Sequence, residues 1–91
     1  MTKACIQFKV TGVVQGVWYR ANTQKQAQAL GLTGWVRNTE DRGVELIACG
    51  EVEQIKKLET WLWEGPPAAK VDQVVSEEIL FEEFLLFEVR E

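Results

Sequence analysis

The sequence has no histidine and a single serine, Ser76. These absences exclude Ser-His-Asp and Cys-His nucleophile pairs and any histidine-ligated metal site. There are only two cysteines, too few by themselves for a structural metal site. No apolar run approaches the roughly 20 residues that a membrane-spanning helix needs. The start, Met1-Thr2-Lys3-Ala4, opens no apolar leader, so a cytoplasmic protein without a membrane partner is expected. What remains is 91 residues, 46% hydrophobic and 26% charged, the composition of a single globular domain over residues 1–91. Its chemistry must come from Arg, Asn, Gln, carboxylates or main-chain amides.

Acidic residues are also missing from one half of the chain. Residues 1–39 hold Lys3, Lys9, Arg20, Lys25 and Arg37 and no Asp or Glu, whereas residues 40–91 carry all 14 acids against five bases. An acid-free first half in a protein of net charge −4 points to a local anion site there. The overall acidity argues against nucleic acid as a partner, because phosphate neutralisation dominates that affinity.

Hydrophobic periodicity supplies the elements. Residues 4–13 alternate, with Ile6, Phe8 and Val10 on one face and Cys5, Gln7 and Lys9 on the other, which predicts a half-buried strand. Residues 20–30 are good helix formers, and Gly31 follows as a terminating glycine. Leu32 to Asn38 and Val44 to Cys49 read as strands about a turn at 39–43. A second helix over 51–64 carries Val52, Ile55, Leu58 and Leu62 on one stripe and stops at Gly65-Pro66-Pro67. Val71 to Ile79 is a fourth strand, and Leu85 to Arg90 a short extra one. The order βαββαβ predicts an α+β, ferredoxin-like sandwich, with two helices on one face of an antiparallel sheet. In that topology the loop after the first strand, the start of the first helix and the end of the second strand share one edge. The 12–20 loop, Arg20 and Asn38 should therefore meet.

The loop Gly12-Val13-Val14-Gln15-Gly16-Val17-Trp18-Tyr19-Arg20 leads from strand to helix, where successive N–H groups and the helix N-terminus favour an anion. A guanidinium at Arg20 can hold two phosphate oxygens at once. There is no GxGxxG or GxxxxGK[ST] pattern, so neither a dinucleotide fold nor a P-loop is supported.

The string Val10-Thr11-Gly12-Val13-Val14-Gln15-Gly16-Val17-Trp18-Tyr19-Arg20 resembles the acylphosphatase signature V-x-G-x-V-Q-G-V-x-F-R. Gly31-Leu32-Thr33-Gly34-Trp35-Val36-Arg37-Asn38 is similar to that family's G-L-x-G-W-V-x-N block, and Phe87-Glu88-Val89-Arg90 to its closing strand. The resemblance implies hydrolysis of the carboxyl-phosphate bond of acyl phosphates to a carboxylate and inorganic phosphate, with no metal or cofactor. It implies that Arg20 and the N–H groups of Gln15, Gly16, Val17, Trp18, Tyr19 and Arg20 bind phosphate, and that Asn38 orients the attacking water. The expected partners are a small acyl phosphate and, as product-like ligands, inorganic phosphate or sulfate; a monomer is expected. Two positions depart from the family pattern. Tyr19 replaces the usual Phe, and its hydroxyl needs a partner if buried. Arg42 stands where the turn after the asparagine usually has glycine, and Gly43 comes next.

In the ferredoxin-like order, Cys5 and Cys49 fall on adjacent antiparallel strands and on the helix-free side, close enough to bridge. A cytosolic setting favours free thiols, so both states stay open. Trp35, Trp61 and Trp63 are expected to be packed, while Trp18 could flank the acyl group. The pairs Glu77-Glu78 and Glu82-Glu83 read as a solvated face. Two rival readings share the topology. A non-catalytic anion- or protein-binding module would not need both Arg20 and Asn38. An RNA-binding domain would need an aromatic-and-basic RNP1 string, which is lacking here.

Overall fold

The alternating N-terminal run forms β1 (Lys3–Val13) in the computed structural model, which describes residues 2–91. It is followed by α1 (Tyr19–Ala29), β2 (Thr33–Asn38), β3 (Val44–Glu51), α2 (Val52–Glu64), β4 (Lys70–Ile79) and β5 (Phe87–Arg90). The strands lie in the order β4-β1-β3-β2-β5. The first four pair antiparallel, as the sequence predicts. β5 instead runs parallel to β2, with Gly34 opposite Phe87 and Val36 opposite Val89. The sheet is therefore mixed, a correction to the purely antiparallel expectation. The cause is the connection from β4, which reaches the far edge of the sheet and delivers the last strand in the same direction as β2.

The helices cover one face because the apolar residues of the strands point there. Phe8 and Val10 of β1, Val36 of β2 and Val44, Leu46 and Ala48 of β3 are buried against Ile55, Leu58 and Leu62 of α2. At about 25 cal/mol per Å², each of these larger side chains contributes roughly 1.5–3 kcal/mol. α1 has no broad apolar stripe; Tyr19, Thr23 and Ala27 are its buried residues. Tyr19 is the largest fully buried side chain, and its hydroxyl donates to the Leu62 carbonyl at 2.7 Å. That bond supplies the partner that the Phe-to-Tyr departure requires. Burial pushes the Tyr19 phenol pKa well above its ordinary value. Trp61 packs at 5.5 Å from the Tyr19 ring. Trp63 is exposed, against expectation, because it lies one position past Leu62 and off the buried stripe.

On the helix-free side, Cys5 pairs directly with Cys49 across β1 and β3, with Cα atoms 4.1 Å apart and the sulfurs bonded. Residues 80–86 join the two outer strands across this end. The Glu82 amide donates to the Cys5 Sγ at 3.3 Å. Both cysteines are buried.

Candidate active site

The loop between β1 and α1 gets its shape from two left-handed residues, Gly16 at φ 72° and Trp18 at φ 66°. Successive turns of this kind curl the backbone so that neighbouring N–H groups converge. Trp18 is the N-cap of α1 and provides no side-chain cap, and the first turn holds no acid. The first amides of the helix thus keep their donors free of side-chain partners, and no nearby carboxylate offsets their partial positive charge.

The side chain of Gln15 has a role that the sequence did not reveal. Its Nε2 donates to the carbonyls of Thr39 and Gly43, both at 2.9 Å. It clamps the loop onto the β2–β3 turn and so fixes the distance between the loop and Asn38. In that turn Arg42, not Gly43, adopts the left-handed conformation, at φ 71°. It stands where the family pattern has glycine, and the left-handed backbone there is a strain of roughly 1–2 kcal/mol for a residue with a Cβ. Gly43 is needed for another reason: a Cβ there would lie 2.6 Å from the Val10 carbonyl oxygen. Asp41 braces the turn. The Thr39 hydroxyl and then the Lys9 ammonium, which is 3.0 Å away, lower its pKa to about 2.

Arg20 is the second residue of α1, and its Nη1 donates to the Arg90 carbonyl at 2.9 Å. A guanidinium has five N–H donors, so this bond orients the group and leaves most of it free. Arg90 is itself steadied by its side chain, which lies 5.2 Å from the Trp35 ring, and Arg37 lies at the same distance from that ring. Only the closing FEVR segment hinted at this contribution, because a main-chain carbonyl leaves no signature in residue types. Asn38 ends β2. Its Oδ1 is buried and makes no hydrogen bond among the described residues.

These groups share one cavity of about 300 Å³, lined by Val14, Gly16, Trp18, Tyr19, Arg20, Ala21, Asn38 and Val89. Arg20 and Asn38 thus meet as the topology predicted, with Gly16, Trp18 and Tyr19 beside them. Gln15 lies behind as the clamp, and Val17 packs on the core. No acid lines the cavity. Asn38 also borders a cleft of about 600 Å³ lined by Lys9 and Arg37 as well as Glu40, Glu45 and Glu91, but Lys9 is paired with Asp41 and Arg37 with Glu45, which makes it a poor anion site. Among the described residues no three His, Cys, Asp or Glu side chains converge as a metal site would require, and no helix is long and apolar enough to cross a membrane.

Comparison with known proteins decides the family. The acylphosphatase family model matches residues 6–86. The chain belongs to the acylphosphatase family. An acylphosphatase from Coxiella burnetii (strain RSA 493 / Nine Mile phase I) is 50% identical over 88 residues, spanning 97% of this chain and 93% of that protein. The solved structure of an acylphosphatase from Coxiella burnetii superimposes with a TM-score of 0.94 at 50% identity, over 97% of this chain and 93% of the other. The acylphosphatase from Bacillus subtilis also gives a TM-score of 0.94, at 28% identity, over 99% of this chain and all of that one. The ferredoxin-like frame with β5 on its edge is therefore that of acylphosphatases, and the protein is an enzyme of that family.

Proposed function

We propose that the cavity hydrolyses the carboxyl-phosphate bond of small acyl phosphates, with Arg20 and the amides of residues 15–20 cradling the phosphate and Asn38 aiming the water. One observation supports this reading: Asn38, whose buried Oδ1 makes no hydrogen bond among the described residues, lines the same acid-free cavity as Arg20, whose guanidinium is mostly free. A buried acceptor without a partner costs about 1–3 kcal/mol, so its presence is explained if the acceptor serves a water held for reaction. The water donates one hydrogen to Oδ1, which turns its oxygen lone pair toward phosphorus.

In the step itself the water oxygen bonds to phosphorus as the bond from phosphorus to the acyl oxygen breaks in line. The bond's electron pair leaves with the carboxylate, and the water's protons pass to the phosphate and solvent. The transition state is loose, so positioning and charge stabilisation supply most of the catalysis. A carboxylate whose conjugate acid has a pKa near about 4 departs without protonation, and the absence of histidine is no handicap. The mechanism assigns no step to a metal or cofactor. A monomer suffices for this reading, since Arg20 and Asn38 line one cavity. The proposed setting is cytoplasmic, with inorganic phosphate or sulfate as a product-like ligand.

The test is hydrolysis of benzoyl phosphate. Arg20→Ala should abolish turnover and also weaken the binding of inorganic phosphate, measured by direct titration. Asn38→Ala should lower kcat far more than it changes KM, because it removes a contact to water and not to substrate. Wild-type-like rates in the Arg20 variant would end the proposal. No side chain present has an ordinary pKa between about 5.5 and 8, so kcat should be nearly level across that range.

A further inference from the structure

Trp18 is 77% exposed, an unusual setting for a large apolar ring in a small protein. It makes no side-chain hydrogen bond among the described residues. Its backbone is left-handed at φ 66°, a conformation that glycine adopts freely and a bulky residue adopts at a cost. The signature leaves this position variable, so the phosphate cradle does not demand tryptophan there. A strained and unpacked aromatic at the mouth of a site calls for a ligand-side explanation.

The cavity provides one. Arg20 and Asn38 form its polar end, while Trp18, Val14, Ala21 and Val89 give it an apolar wall. An acyl phosphate is also two-ended: a charged head is joined through one bridging oxygen to an acyl group, which must then lie within a few ångströms of the head. On the reading that the head is bound by Arg20, we propose that Trp18 is the specificity-determining wall for the acyl group. It selects acyl phosphates that carry a flat, apolar, aromatic acyl part over those with a small alkyl one. Stacking of such a ring on the indole face explains why the ring is left without an intramolecular partner.

The ring can be changed without dismantling the loop. The Trp18 carbonyl accepts from the Asn22 amide at 3.0 Å and from the Asn22 Nδ2 at 2.9 Å, and neither bond uses the indole. Glycine also relieves the left-handed strain.

The experiment compares kcat/KM for benzoyl phosphate and for acetyl phosphate in wild type, Trp18→Gly, Trp18→Leu and Trp18→Phe. The benzoyl-to-acetyl ratio should fall about tenfold in Trp18→Gly, chiefly through a raised KM for benzoyl phosphate, and should stay within about threefold of wild type in Trp18→Phe. Trp18→Leu keeps apolar bulk but not a flat face. It should show an intermediate fall, and it carries the test if the glycine variant does not fold. A ratio within about twofold of wild type in the glycine or leucine variant, or an equal loss on both substrates, overturns the assignment. A wild-type protein that hydrolyses neither substrate would overturn the acyl phosphate reading itself, and this inference with it.

Discussion

The two ends of the sheet are built on opposite principles. At the end that holds Arg20 and Asn38, the chain keeps features that cost stability: left-handed Trp18 and Arg42, an uncapped helix start and an orphaned buried carbonyl oxygen. At the other end Cys5 and Cys49 are buried and bonded to each other, with residues 80–86 passing over them. The difference teaches that the strain at the proposed site sits far from the place where the fold is tied together. Substitutions at the two ends should thus separate activity from stability.

The largest effect is expected at the first end. Arg20→Ala should lower kcat/KM for benzoyl phosphate by about a thousandfold or more. It should shift Tm by only a few degrees, because the lost bond to Arg90 lies at the surface. A large fall in Tm would show that the arginine is structural and erase the contrast. The opposite pattern is expected for the double variant Cys5→Ala, Cys49→Ala. The bridge spans a sequence separation of 44 residues, and chain entropy puts its contribution at about 4 kcal/mol. Denaturant titration should show a loss of about 3–4 kcal/mol, with kcat at 25 °C unchanged while the protein stays folded.

Asn38→Ala sharpens the comparison because its two effects have opposite signs. The kcat should fall about a hundredfold, while stability should hold or rise by up to about 1 kcal/mol as the unpartnered acceptor is removed. A clear loss of stability would mean that Oδ1 has a partner in solution other than the reacting water. The smallest effect belongs to Tyr19, which links the site to the core. Tyr19→Phe should cost about 1 kcal/mol by leaving the Leu62 carbonyl unpaired. Burial raises the phenol pKa in the folded state, whereas the unfolded phenol ionises near about pH 10. The stabilisation is therefore complete below pH 10 and is lost as pH rises above it. The phenylalanine variant should lose that alkaline slope in equilibrium unfolding.

What the sequence revealed and what it concealed follow from the range of the forces involved. Alternation at Phe8 and Val10 and the Ile55–Leu58–Leu62 stripe report local burial, and both faces are as the periodicity predicts. Strand polarity alone brought Arg20 and Asn38 to one edge, because topology constrains ends more tightly than side chains. The parallel pairing of β5 was not legible, since it depends on which sheet edge a connecting segment reaches. The Gln15 clamp and the Arg90 carbonyl that orients Arg20 were hidden for a related reason: both act through main-chain oxygens, which every residue carries. The left-handed conformation at Arg42 was hinted at only by the resemblance, which puts glycine at that position, because an arginine by itself does not signal it.

The path of residues 80–86 imposes a length requirement on the proposed site. Ile79, Cys5, Cys49 and Thr33 form one row across the sheet, and Phe87 lies beside Gly34, next to Thr33. Four inter-strand steps of about 4.8 Å make that crossing about 19 Å, and the eight links from Ile79 to Phe87 can reach about 27 Å when extended. Removing three residues would cut that reach to about 17 Å and pull β5, with the oxygen that steers Arg20, off its edge. Adding residues would cost only about 0.6 kcal/mol per doubling of loop length. Natural variation in this segment should accordingly run toward longer crossings, since a shortened one would disarm an arginine at the opposite end of the molecule.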